Sequence, residues 1–141
     1  RGSGDGAVSE PSLWGEGNRL YAAYLLAGDR IAVTEAGGIG AQPQHVTVST
    51  VTGLAGEPQV RSTGNYVVAA WRSGAVAGGT ARIVQAISTD LGAHFLDPVG
   101  FGDASAAQER PRLGVDGARL LLLWQDHRDS PAGIYGNRTA P

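Results

Sequence analysis

The sequence predicts an all-β chain made of about three repeated units, each of four antiparallel strands. Three observations predict it. The first is a gapless repeat: Glu10-Pro11-Ser12-Leu13, Glu57-Pro58-Gln59-Val60 and Arg110-Pro111-Arg112-Leu113 are followed, six residues after each proline, by Gly17, Gly64 and Gly117, and thirteen residues after it by Tyr24, Trp71 and Trp124. The second is glycine, 22 of 141 residues, about twice the usual ~7% and scattered without a G-x-y period, as many tight turns require. The third is that the apolar stretches, Leu120 to Trp124 among them, are short, far below the ~20 residues of a membrane-spanning helix.

The prolines are spaced by 47 residues from Pro11 to Pro58 and by 53 from Pro58 to Pro111, close to the ~40–50 residues of a four-stranded β-propeller blade. After an N-terminal segment, 1–9, the units run 10–56, 57–109 and 110–141. Strand a is expected to follow the proline, whose missing N–H is tolerated at the first residue of a strand. A glycine turn then leads to strand b, Leu20–Tyr24, Val67–Trp71 and Leu120–Trp124, apolar without clean alternation. Such strands should be covered on both faces, as in a blade sandwiched between two neighbours. Strand c carries Ile31, Ile83 and Ile134, each five residues before Ala36, Ser88 and Thr139. Strand d is expected at Gln44–Val51 in unit one and Phe95–Val99 in unit two, and unit three stops before its own. Tyr24, Trp71 and Trp124 recur at one register, which marks them as packing between blades.

Composition narrows the function classes. A net charge of -2 with 17% charged and 42% hydrophobic residues excludes a polyelectrolyte and gives no basic patch for nucleic acid. Without cysteine there is no disulfide framework, zinc knuckle or thiol nucleophile. No His or carboxylate spacing suggests a metal site, no cofactor is expected, and no segment is suited to membrane insertion. All 11 basic residues are arginine, which reads as codon usage. The absence of methionine at position 1 suggests a processed or excised piece.

After strand c of unit two stands Ser88-Thr89-Asp90-Leu91-Gly92-Ala93-His94-Phe95. It resembles the Asp box, S-x-D-x-G-x-x-[WF], of sialidase-like (BNR-repeat) β-propellers. Its chemistry is local. Ser88 and Asp90 can bond backbone N–H groups in the c–d turn, Gly92 can take positive φ, and Phe95 can pack back over the hairpin. Unit one has Ala36, Gly38 and Gly40 at the corresponding places. Trp124-Gln125-Asp126-His127-Arg128, followed by Ile134-Tyr135, is similar to the W-x-D-x-R…D-I-Y blades of secreted bacterial propellers. The resemblance implies an extracellular or cell-surface setting and glycan contact. Sialidases of this fold share an Arg triad, an Asp acid/base and a Tyr–Glu nucleophile, the first Arg lying in an Arg-Ile-Pro motif. The nearest segment here is Glu109-Arg110-Pro111, so no catalytic residue is assigned.

Because strands in a blade alternate up and down, a–b and c–d turns share one face, and b–c and d–a loops share the other. The second face carries the longer loops, Arg72–Thr80, Gln125–Ala132 and Gly100–Glu109, and loops on a rigid scaffold commonly carry function. Arg72, Asp126, His127, Arg128 and Asp129 are the candidate binding residues: Arg128 to pair an anionic or hydroxylated group, the carboxylates to accept sugar hydroxyls. The alternative is that Asp126 and Arg128 brace their own loop. Arg61 and Arg112, on strands a, either face a ligand in the central channel or satisfy backbone carbonyls.

The expected function is a non-catalytic extracellular module that binds glycan or protein or acts as a scaffold. The alternatives are a fragment of a sialidase-like glycoside hydrolase and a structural component of a secreted or surface assembly. Propellers close with ~4–8 blades, whereas three leave two blade faces and one strand edge exposed. Closure is therefore expected from a homo-oligomer or from the remaining blades of a longer chain, and the isolated chain is not expected to be a stable monomer.

Overall fold

The computed structural model describes residues 8–27, 29–36, 44–49, 55–74, 80–101 and 105–139. It holds three antiparallel sheets arranged as successive blades of an open β-propeller. The first contains β1 (Val8–Glu16), β2 (Arg19–Leu26), β3 (Arg30–Ala36) and β4 (Gln44–Thr47) in that order. The second repeats the plan with β5 (Ala55–Thr63), β6 (Tyr66–Ser73), β7 (Arg82–Ser88) and β8 (Val99–Gly100). The third has β9 (Gln108–Asp116), β10 (Arg119–Asp126) and β11 (Gly133–Thr139). Among the described residues β11 pairs only with β10, which leaves the third sheet with three strands.

The a–b turns are as the glycine register requires. Gly17, Gly64 and Gly117 all have positive φ, near +60°, which only glycine adopts without a Cβ penalty. The prolines differ from expectation. Each inner strand begins before its proline, at Val8, Ala55 and Gln108, and the proline sits inside the strand at a β-bulge. The residue before it, Glu10, Glu57 or Arg110, is left-handed, with φ of 52°, 55° and 55°. Proline removes one ladder donor and the bulge re-aims the residue beside it, so this is a device for turning a side chain and not a strand start.

Two apolar cores hold the blades together. Between blades one and two, Tyr21, Ala23 and Ile31 meet Val60, Val67, Ala69 and Trp71. Between blades two and three, Val68, Ala70 and Ile83 meet Leu113, Leu120, Leu122 and Trp124. The middle strand β6 is thus buried on both faces over Val67–Trp71, as expected, whereas β10 alternates between buried and exposed residues. The identical register has different fates because burial depends on a neighbour: Trp71 and Trp124 are buried in these cores, whereas Tyr24, on the face of blade one away from blade two, is half-buried and shares a hydrogen bond of 3.0 Å with Thr34.

The outer strands are shorter than anticipated. In unit two the strand is Val99–Gly100, not Phe95–Val99, because Phe95 leaves the ladder to pack on the first core. In unit one β4 covers Gln44–Thr47, and Val48 continues along β3 through its N–H to Ile31 O at 2.8 Å. Val8 and Ser9 pair within their own blade, with Leu26 and Leu25. Residues 1–7, positions 38 and 40 of the unit-one box, the end of the expected strand d at 50–51, and the loop interiors at 75–79 and 102–104 lie outside the described residues.

Candidate functional site

The bulges carry a row of contacts that crosses all three blades. The Glu57 backbone N–H donates to Glu10 Oε2 at 2.7 Å, and the Arg110 N–H donates to Glu57 Oε2 at 2.6 Å. Each pre-proline carboxylate thereby caps the strained left-handed residue of the next blade. The relay stops at Arg110, which has no acceptor to offer and extends toward Gln125 Oε1 at 3.4 Å. Left-handed non-glycine residues cost on the order of 1–3 kcal/mol each, and charge-assisted N–H bonds offset part of it.

Around this row lies an open groove of about 380 Å³, lined by Glu10, Pro11, Glu57, Pro58, Gln59, Arg110 and Arg112. The prolines give it rigid apolar edges, and the Glu, Gln and Arg heads give it acceptors and donors. It sits on the innermost strands, at the end where the d–a and b–c loops emerge. Arg112 and Arg61 both satisfy backbone carbonyls, Pro111 O at 2.8 Å and Val60 O at 2.6 Å. Arg61 also stacks 4.7 Å over the Trp14 ring, while Arg112 remains exposed at the groove.

The expected binding residues fall into two groups. Asp126 is fully buried and points inward. It accepts from Gln108 Nε2 at 3.0 Å, Trp124 Nε1 at 3.3 Å, the Arg128 N–H at 3.0 Å and Arg128 Nη2 at 2.5 Å. The Arg128 hydrogen bonds hold its carboxyl far below the usual range. Gln108 Oε1 in turn accepts the Ile83 N–H at 2.9 Å, so the Asp126 network locks blade three onto blade two. This is the loop-bracing alternative, extended across a blade interface.

The other residues remain at the surface. Arg128 lies 4.3 Å over the Tyr135 ring, and Tyr135 Oη donates to Asp129. His127 Nε2 meets Glu109 Oε1 at 2.8 Å, an interaction that depresses the Glu109 carboxyl, with the Arg110 and Arg72 charges adding to it. Arg72 stands beside Gly56, where Glu10 Oε2 and Arg72 Nη2 approach the same point. Its Nε is buried without a hydrogen-bond partner among the described residues. Thus Arg72 and His127 border the inner row through Glu10 and Glu109, whereas Arg128 and Asp129 form a separate cluster with Tyr135. Among the described residues no group of His, Asp and Glu side chains is arranged to hold a metal ion.

The segment Ser88–Phe95 forms a self-contained turn. Ser88 Oγ donates to Asp90 Oδ1 at 2.7 Å and accepts the Gly92 N–H at 2.9 Å; Asp90 Oδ1 accepts the His94 N–H at 2.9 Å. Gly92 has φ +90° with the Tyr21 ring 3.5 Å from where a Cβ would lie. The His94 ring, 2.7 Å from Asp90 Oδ2, its N–H and Ser88 lower the Asp90 carboxyl to about 2. The Leu91 N–H bonds Asn65 O at 2.9 Å, which ties the turn to the a–b turn of its blade, on the face opposite the groove.

Sequence reasoning named Arg112 and Arg72 but missed Glu10, Glu57 and Gln108. The repeated acidic residue before proline was the available signal, visible at positions 10 and 57 and replaced by Arg at 110.

No protein-family model matches the chain, and no curated protein does. Among solved structures it is similar to an α-L-arabinofuranosidase from Fusarium graminearum, determined in complex with an iminosugar inhibitor, with a TM-score of 0.65 and 16% identity. The match covers 94% of this chain and 45% of that one, so the chain spans less than half of its neighbour. At this identity the likeness establishes the propeller fold alone.

Proposed function

We propose that this chain is a non-catalytic, glycan-binding portion of an extracellular β-propeller, with the sugar seated in the inner-strand groove at Glu10, Glu57, Arg110 and Arg112. The observation that carries it is the groove itself: three bulges in register place Glu10, Glu57 and Arg110, with Gln59 and Arg112 beside them, around one open hollow. Neutral polyols are recognised by that mixture, through bidentate arginine and carboxylate contacts to hydroxyls. Glu10 and Glu57 each accept a backbone N–H at Oε2, which fixes their carboxyl groups at the groove. The sialidase-like grouping and the cell-surface setting belong to the same proposal and rest on the turn at Ser88–Phe95.

A second reading, a section of a glycoside hydrolase, is favoured by the arabinofuranosidase likeness. Both are tested with one set of ligands. Titration with arabino- and sialo-oligosaccharides is expected to show binding that weakens about tenfold or more in Glu57→Gln and in Arg112→Ala, the loss of a charge-assisted contact. Equal affinity in both variants would move the site away from the groove. Release of an aryl aglycone from arabinofuranoside or sialoside by the chain alone would establish the second reading.

A further inference from the structure

We infer that blade two carries a second binding site, separate from the inner groove, for a small carboxylate seated against Arg82. A comparison of blades two and three at one register points to it. Fifteen residues after each repeat proline stand Leu26, Ser73 and Asp126. In blade three the Asp126 carboxylate accepts from Trp124 Nε1 at 3.3 Å and from the Arg128 guanidinium at 2.5 Å. Blade two has the same tryptophan, Trp71, but two residues on it has the Ser73 hydroxyl and no carboxylate. Its arginine comes from the adjacent strand: Ser73 pairs with Arg82 across β6 and β7, as Asp126 pairs with Gly133 across β10 and β11.

Blade two thus keeps the kinds of donor that blade three gathers but lacks their acceptor. Trp71 Nε1 and Arg82 Nε are both buried and have no hydrogen-bond partner among the described residues. Arg82 takes part in none of the ion pairs formed by those residues. Burying part of a guanidinium without an anion to accept from it is costly. Native proteins rarely leave such a group unpaired, and an exception marks a place for an ion or ligand. The repeat itself does not call for this arginine to stand alone. At the same place, one residue before the strand-c isoleucine, blade one has Arg30, which pairs with Asp29 at 3.5 Å, and blade three has Gly133.

Arg82 borders a hollow of about 270 Å³ at the ends of β6, β7 and β8, with Ser73 and Thr80 beside it and Val84 and Pro98 as apolar walls. None of the described lining residues is acidic, and Arg82 is the charged one among them. The hollow therefore favours an anion, and the register specifies which: a carboxylate is what Trp124 and Arg128 hold in blade three. Val84 and Pro98 suit a short aliphatic chain behind that carboxylate. Arg82 is the residue the carboxylate meets. Trp71 is sealed from solvent and is the cross-strand neighbour of Val84, so its indole N–H reports the ligand without touching it. The hollow shares no described lining residue with the inner groove, and neither site depends on the other.

The test uses the full chain, isotope-labelled, and follows the indole N–H resonances of its three tryptophans. Sodium butyrate is titrated through the millimolar range at constant ionic strength, with its uncharged counterpart butyramide and with inorganic phosphate in parallel. Butyrate is expected to shift the Trp71 resonance saturably while those of Trp14 and Trp124 stay in place, and butyramide to shift none. Arg82→Gln should weaken the butyrate response about tenfold or more, the loss of a charge-assisted contact. Ser73→Asp puts a carboxylate where blade three has one; it should abolish the response and hold the Trp71 resonance near its butyrate-bound position. A Trp71 resonance that butyrate leaves unmoved, an equal shift with butyramide or a stronger one with phosphate overturns the inference. So does a full butyrate response in Arg82→Gln or in Ser73→Asp.

Discussion

Asp126→Ala removes the one fully buried carboxylate among the described residues, and its cost can be worked from the contacts. Four hydrogen bonds converge on the carboxylate. Without it, Gln108 Nε2 and Trp124 Nε1 remain as buried donors, at about 1–3 kcal/mol each. The Arg128 side chain is 30% exposed, so water recaptures part of its loss. The total is about 3–5 kcal/mol, as for breaking a buried ion pair from one side, against a usual stability of about 5–15 kcal/mol. At fixed protein concentration, urea unfolding should show a midpoint lowered by about 2 M at an m-value near 2 kcal/mol/M, with the m-value unchanged. A loss below about 1 kcal/mol would refute the assigned role. Because the folded carboxyl is depressed, its contribution is present above pH ~4 and is lost as pH falls below that value. The wild type should therefore lose stability on acidification that Asp126→Ala has already lost.

Other consequences follow from the same packing. Leu122→Ala, in the core between blades two and three, should cost about 2–5 kcal/mol, and Leu96→Ala, on the surface, less than about 0.5 kcal/mol; comparable losses in denaturant titrations would contradict the burial pattern. Ser88→Ala should loosen the c–d turn and speed amide exchange at Gly92, whose N–H it accepts, while leaving exchange in β10 unchanged. Gly92→Ala, forced to positive φ against Tyr21, should destabilise by about 1–2 kcal/mol, read as a lowered melting temperature. For Asp90, depressed to about 2, the turn should stay formed as pH drops through 4 and open as it approaches 2. A carboxyl titration by nuclear magnetic resonance with a midpoint near 4 would deny the His94 and Ser88 contacts.

Much of the fold is legible because the repeat is a physical template. A glycine required at positive φ and an aromatic required between blades recur at fixed steps, so Gly17, Gly64 and Gly117 mark turns and Trp71 and Trp124 mark cores before any coordinate is known. The positions that sequence misplaced obey contacts between units. Proline alone does not tell a strand start from a bulge, since both tolerate a missing N–H; the left-handed Glu10, Glu57 and Arg110 follow from carboxylates reaching the next blade. The apolar run of β10 reads the same as that of β6, yet only β6 has neighbours on both sides. Phe95 reads from the sequence as both a cover for the hairpin and the start of the outer strand; it packs on the core between blades one and two, outside that strand. Asp126 was weighed as both ligand contact and loop brace, and its burial, decided by Gln108 from a different strand, was beyond local pattern.

The groove and the turn at Ser88–Phe95 lie on opposite faces, which gives a direct measurement. Amide hydrogen exchange of the chain, with and without a bound oligosaccharide, should show slowed exchange at Glu57, Gln59, Arg110 and Arg112 along the inner bulges. Protection confined to Ser88–Phe95, or to the Arg128, Asp129 and Tyr135 cluster with none at the bulges, would contradict a ligand site on the inner strands.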